Sequence, residues 1–315
     1  MNKLILNLKK LVLDPGGFFY RTKRKRIFYK NTMQSIINIL KSKSKKNWLQ
    51  SIKTLPSFCI DDKKGYLVLP PNALSAKLSE QVEEVCNEII NSGRKPTKRS
   101  KDFLLQLLTD KDIEENPSLL NFALSDELLS IVSKYLVSQP ILMSMKLMKS
   151  VRTEGDKTSS QLFHCDYDDT KQVAVFLNIK DVTLKNGPLT LVPADVSEKF
   201  KNDHGYQYGK YGHLPSSHVI ELNQNKEEII GPKGQVLLLD TSNVFHCGSI
   251  VEQGERYIFY LQYTTESNFL YNPLFAFLPK RFVSKFYPFL DIAKKAKITK
   301  NLYALGRNLS NEQII

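Results

Sequence analysis

Phe163-His164-Cys165-Asp166 puts an imidazole and a carboxylate two residues apart. In an extended chain, side chains alternate, so His164 and Asp166 point to the same face and can grip one divalent metal. Three-residue patterns occur by chance in most chains, and this one gains meaning from two residues downstream. His246 comes after the apolar run Gln235-Val236-Leu237-Leu238-Leu239, and Arg256 opens another, Tyr257-Ile258-Phe259-Tyr260-Leu261. Two imidazoles and one carboxylate on one face of an octahedral Fe(II) leave three positions open. A bidentate 2-oxo acid fills two of them and O2 the third. The interval from His246 to Arg256 predicts a turn and a return on an adjacent antiparallel strand. There, the planar guanidinium would hold the far carboxylate with paired hydrogen bonds. Taken singly, each residue has a plain structural reading. The histidines would be satisfied core groups, and Arg256 would form a surface ion pair with Glu255 or Glu252.

Those residues need a scaffold, and the middle of the chain reads as one. Strands are expected at 141–151, 160–166, 173–179, 189–192, 218–221, 235–240 and 256–263. Turn sequences Asn186-Gly187-Pro188 and Gly231-Pro232-Lys233-Gly234 separate some of them. Short strands with such turns point to an antiparallel sandwich or a jelly-roll barrel. A further short strand is expected over Tyr66-Leu67-Val68-Leu69. A helix from Ser75 to about Asn91 is marked by Leu78, Val82, Val85 and Ile89, with Gly93 beyond its end. Helical patterns also run through Phe103, Leu104 and Leu107, and from Asp126 through Leu128, Leu129, Val132 and Leu136. Helices gathered before a strand-rich core would buttress one face of a sheet. The fold class expected is therefore mainly β with flanking helices, a barrel core buttressed from the N-terminal side.

The 315 residues carry a net charge of +13, unevenly placed. Residues 1–50 hold 13 Lys and Arg against one acid, and residues 266–315 hold eight against three, which leaves −4 for the middle. Three parts emerge: a basic helical extension over 1–54, a catalytic domain over 55–265 with its core at 141–264, and a basic, aromatic-rich helical extension over 266–315. Basic side chains flanking Leu4, Leu8, Leu11, Ile36, Ile39 and Trp48 suit an anionic membrane surface. A solvated arm is the plain alternative, and no motif supports nucleic acid. No apolar run reaches the ~18 residues of a membrane span. Cys59, Cys86, Cys165 and Cys247 form no CxxC pair, which fits free thiols in a reducing cytoplasm. Cys165 and Cys247 sit beside proposed ligands, so alternation turns them away from the metal. Residues 196–217, rich in Gly and Tyr and holding His204 and His213, with His218 just beyond, read as a loop over the barrel mouth.

Several pieces together resemble the phytanoyl-CoA dioxygenase family of Fe(II)- and 2-oxoglutarate-dependent oxygenases. They are Gln161-Leu162-Phe163-His164-Cys165-Asp166, Asn186-Gly187-Pro188-Leu189 followed by Val192-Pro193, Gly234 before an apolar strand, and His246 with Arg256. The resemblance covers roughly 141–264. It implies a double-stranded β-helix (jelly-roll or cupin-like), with His164, Asp166 and His246 as iron ligands. Arg256 would hold the C5 carboxylate of 2-oxoglutarate, and Lys146 and Met148 on the preceding strand would neighbour the cosubstrate. The chain departs from the family pattern at Gly248, where a hydroxyl is common, and at Ile258, where Ser is. The implied reaction consumes O2, converts 2-oxoglutarate to succinate and CO2, and hydroxylates a C–H bond. Asp166 occupies the position that related halogenases leave open for halide, which favours hydroxylation. Leu11-Val12-Leu13-Asp14-Pro15 with Phe18-Phe19 resembles leaders of some cell-surface polysaccharide enzymes. That resemblance implies a small or lipid- or sugar-linked substrate, with acyl-CoA the other choice. The alternative function is a non-catalytic β-barrel binding module on a membrane or polymer.

Overall fold

A computed structural model of the chain describes residues 57–97, 100–208, 214, 216–265 and 289–305, with 28, 31, 32 and 35 as isolated positions. The basic N-terminal extension lies outside the described residues apart from those positions. So do 266–288 and 306–315 of the C-terminal extension, and 209–213 and 215 of the expected mouth loop.

Among the described residues nine strands form two antiparallel sheets. β1 (Tyr66–Leu69), β2 (Leu104–Gln106), β3 (Pro140–Ser150), β4 (Gln172–Asn178), β7 (Val236–Leu239) and β9 (Arg256–Thr265) make the larger, in the order β1-β7-β4-β9-β3-β2. β5 (Leu189–Val192), β6 (Glu227–Ile229) and β8 (Phe245–Gly248) make the smaller, in the order β6-β5-β8. This is the expected jelly-roll, with helices packed on one side.

Alternation along the central strands divides the molecule into layers. On β9, Tyr257, Phe259, Leu261 and Tyr263 join Leu147, Val173, Val175 and Leu177 in one large core against the helices. The helices are α1 (Ala76–Asn91), α2 (Asp110–Glu115), α3 (Pro117–Ala123) and α4 (Asp126–Leu136). Phe122 meets Phe259 edge-on at 6.2 Å, and the Tyr263 hydroxyl donates to the Ala123 carbonyl at 2.6 Å. The opposite face of β9 carries Arg256, Ile258 and Tyr260 toward the space between the sheets. They stand beside Ser150, Met148 and Lys146 of β3 in strict register.

Two further helices, α5 (Ala194–Asp203) and α6 (Ser216–Gln224), occupy the 196–217 region and its end. His204 ends α5 and stacks on His218 of α6 at 3.8 Å, bonding Glu221 at 3.0 Å. Among the described residues no helix is long and apolar enough to cross a membrane.

Besides helix α5, which forms where part of the mouth loop was expected, three local expectations differ from what forms. The 103–107 pattern is strand β2, because Leu104, Leu105 and Gln106 find open hydrogen-bonding groups on β3 at Ser150, Lys149 and Met148. Residues 218–221 belong to helix α6, where Leu222 buries and Ile220 is exposed. A short apolar run satisfies either period, and here packing decides. Residues 160–166 are a 3-10 turn (Ser159–Gln161) followed by extended chain with a single bridge, His164 to His246. In α1 the buried stripe centres on Val82, Cys86 and Ile89, with Leu78 and Val85 at its edge.

Candidate metal centre

His164 and His246 are 3 % and 6 % exposed, on chains that face each other across the bridge. The His164 N–H donates to the His246 carbonyl at 3.1 Å, and the His246 N–H returns a bond to His164 at 3.0 Å. This hydrogen-bonded pairing sets both side chains on one face. Their rings lie 4.3 Å apart. Each ring is then oriented the same way. His164 Nδ1 lies 2.7 Å from the Leu162 carbonyl and His246 Nδ1 lies 3.0 Å from the Val244 carbonyl. A carbonyl only accepts, so each Nδ1 carries the proton and each Nε2 keeps its lone pair.

Both lone pairs meet at Asp166. His164 Nε2 is 3.7 Å from Asp166 Oδ1, and His246 Nε2 is 3.9 Å from Oδ2. One ligand atom from each of the three residues falls within 4.8 Å of the others, the separation a single ion spans. Burial and the neighbouring His246 push the His164 imidazole down to about 4, against a smaller opposing pull from Asp166. A neutral imidazole is the metal-binding form. The donor set of two imidazoles and a carboxylate fits Fe(II).

The carboxylate ligand is held from behind. The Asp166 N–H donates to the Thr241 carbonyl at 2.8 Å. Gln172 Nε2 donates to Thr241 Oγ1 at 2.7 Å and reaches Asp166 Oδ2 at 3.3 Å. Thr241 lies in the turn between β7 and β8, which is built on Asp240. Its Oδ1 accepts from the Ser242 N–H, the Ser242 hydroxyl and the Asn243 N–H. Its Oδ2 accepts from Tyr135 and the Asn243 amide. That turn launches His246 and anchors Asp166 at once. Sequence reading missed Gln172 and Thr241. The available signal was a polar residue heading an otherwise apolar strand at 173–179.

Arg256 sits in the larger sheet between β4 and β3, while His246 is in the smaller one. The expected return on an adjacent strand is therefore corrected: the two face each other across the barrel. Ten residues suffice to switch sheets as well as to turn, and burial of β9 on both faces takes it to the centre of the larger sheet. Arg256 is 9 % exposed. Its Nη2 donates to Ser150 at 3.3 Å, and its Nε is buried without a hydrogen-bond partner. Burial pushes its pKa down to about 10. Glu255 pairs with Lys149 at 2.5 Å instead, so the surface ion-pair reading of Arg256 fails. Among the described residues no carboxylate pairs with this cation.

A cavity of about 200 Å³ joins the triad to Arg256, with Lys146 and Met148 in its wall together with Tyr260 and Phe176. Lys146 also lies over the Tyr260 ring at 5.6 Å. Gln161 and Ser249 line both this cavity and a larger one of about 360 Å³ beyond the smaller sheet. Gln161 accepts the Thr158 N–H and so caps the 3-10 turn. Phe163, Cys165 and Cys247 are buried together away from the triad, as alternation requires.

No family model matches this chain, and no curated protein sequence does. Among solved structures it resembles EctD from S. alaskensis with 2-oxoglutarate and 5-hydroxyectoine. The two share 17% identity over 66% of this chain and 74% of that one, with a TM-score of 0.50. It also resembles the epimerase SnoN from nogalamycin biosynthesis, in complex with Fe3+, alpha ketoglutarate and nogalamycin RO. There the identity is 12%, coverage 69% and 84%, and the TM-score 0.47. HygX from Streptomyces hygroscopicus with nickel and 2-oxoglutarate bound is similar at 14% identity, 65% and 84% coverage, and a TM-score of 0.45. At such identities the likeness is one of fold.

Proposed function

We propose that this chain is a non-haem Fe(II)- and 2-oxoglutarate-dependent oxygenase of the phytanoyl-CoA dioxygenase type, hydroxylating a C–H bond. One observation carries the reading: two Nε2 lone pairs and a carboxylate converge at one end of a cavity whose other end holds a buried, anion-seeking arginine. A structural ion pair would not leave Arg256 without a carboxylate, and burying an uncompensated charge is costly. A dicarboxylate bridging metal and arginine answers both ends. The fold shared with EctD, whose structure holds 2-oxoglutarate, agrees with that assignment.

His164, Asp166 and His246 would hold the iron, and Arg256 with Ser150 would receive the distal carboxylate. Lys146 and Met148 would flank the cosubstrate. When bound, iron with 2-oxoglutarate and O2 supplies an oxidant for an unactivated C–H bond, leaving succinate and CO2. The protein orients both imidazoles through main-chain carbonyls and fixes Asp166 through Gln172 and Thr241. A small or lipid- or sugar-linked metabolite remains the substrate class, met at the cytoplasmic membrane face through the basic ends. The test is anaerobic titration of Fe(II) and 2-oxoglutarate into the apo-protein. A visible charge-transfer band that needs both additions and is lost in Arg256→Ala supports the reading. Iron-loaded, folded protein without the band points to the binding module.

A further inference from the structure

The cavity holds more positive charge than iron and 2-oxoglutarate use. Lys101, Lys146 and Arg256 line it, and Asp166 is the one carboxylate among its described lining residues. Asp168 acts on Lys146 from close by. The charges of a divalent ion and a dianion cancel, so their binding leaves the protein's surplus cation in place. Arg256 lies deep beside Ser150, and Lys146 stands over the Tyr260 ring with Asp168 acting on it, which singles out Lys101.

Lys101 rides a tight turn at the edge of the larger sheet. Its N–H and carbonyl both bond Leu104, at 3.0 and 3.1 Å, just before β2 joins β3. From there the side chain spans the cavity mouth to the turn preceding His164. Its ammonium donates to Ser159 Oγ at 3.0 Å and Ser160 Oγ at 3.2 Å, and lies 5.6 Å from the Phe103 ring. All of these partners are uncharged. Burial and the charge of Lys146 hold its pKa below the ordinary lysine range against a smaller opposing pull from Asp166, and an arriving anion would relieve that field further. A charge-assisted bond is roughly twice as strong as one to a neutral hydroxyl, so an arriving anion displaces the serines at little cost.

We propose that the substrate carries an anionic group, carboxylate or phosphate, and that Lys101 receives it at the cavity mouth. This rests on the iron and 2-oxoglutarate reading. Lys101 is then the residue that selects charged over neutral substrates, and Ser159 and Ser160 are its resting partners.

The test uses full-length protein loaded with Zn(II), a redox-inert stand-in for iron, and saturating 2-oxoglutarate. Formation of that complex is measured first by calorimetry. Phenyl phosphate, benzoate and benzyl alcohol are then titrated as probes. Both anions are expected to bind, and benzyl alcohol about tenfold more weakly or worse. Lys101→Gln brings the anions down to the level of the alcohol, and Lys101→Arg retains them. Tighter phenyl phosphate marks a phosphate ester as the substrate group, and tighter benzoate a carboxylate. Anions held only by the basic ends of the chain bind Lys101→Gln unchanged, which overturns the proposal. So does equal binding of all three probes. If Zn(II) and 2-oxoglutarate do not bind in the first step, the oxygenase reading fails and this one with it. If they bind and the anions do not, only the assignment of Lys101 falls.

Discussion

His164 and His246 mirror each other: they exchange backbone hydrogen bonds at 3.1 and 3.0 Å, and each donates Nδ1–H to the carbonyl two residues earlier. The ring orientation is thus set by main chain on both sides, before any metal arrives. Preorganisation of this kind limits what metal binding must spend on ordering side chains.

Gln172 is the side chain that orients the carboxylate ligand. Gln172→Leu is expected to lower metal affinity by about 10- to 100-fold. Competition for Zn(II) against a chelator of known strength reads this directly. An affinity equal to wild type would show that the Thr241 main-chain contact suffices.

On the proposed function, Arg256 is buried to receive 2-oxoglutarate and not to hold the fold. Arg256→Met should weaken 2-oxoglutarate binding about 100-fold or more. The unliganded protein should stay within about 1 kcal/mol of wild type or gain stability, because an uncompensated charge is removed. Thermal unfolding with and without 2-oxoglutarate separates the two effects. A loss of several kcal/mol without ligand would mean that the guanidinium has a structural partner.

Acid should destabilise the metal-free protein from the mid-6 range downward. The folded-state pKa of His164 is depressed to about 4, so between its ordinary value and 4 the unfolded chain binds a proton that the folded chain refuses. Stability therefore rises with pH across that window, by up to about 3 kcal/mol from this residue. Denaturant midpoints at pH 4.5 and 7 measure it, and His164→Asn should flatten the slope.

Gly187 has φ +78°, and a Cβ there would meet the Ser249 carbonyl at 2.8 Å and Val251 Cγ2 at 2.9 Å. Gly187→Ala should cost about 2 kcal/mol or more, from the left-handed backbone and the clash together. Since Ser249 and Val251 line the cavity that holds the His164–Asp166–His246 triad, 2-oxoglutarate affinity should fall as well. Stability lost without any change in affinity would confine the effect to the turn.

The basic ends make their own prediction. Sedimentation with anionic vesicles should depend on residues 1–50 and weaken as salt screens the attraction. A shortened chain that sediments equally well would refute membrane contact through that segment.

The shared facing of His164 and Asp166 was legible in sequence because it depends on local geometry. Two-residue alternation puts His164 with Asp166 and turns Cys165 away, whether or not 160–166 pairs as a strand. Apolar runs with Gly and Pro turns between them likewise announced the barrel. Assignments that rested on short apolar runs went astray at 103–107 and 218–221, where neighbouring strands or helices supplied the deciding contacts. Beyond reach of the sequence was everything set by pairing between distant segments. That Arg256 faces the triad from the opposite sheet, that Gln172 backs Asp166 and that Lys101 crosses the cavity mouth all depend on which strands share hydrogen bonds. Strand order is settled by burying the helix-facing side of the larger sheet, a global requirement that no local spacing encodes.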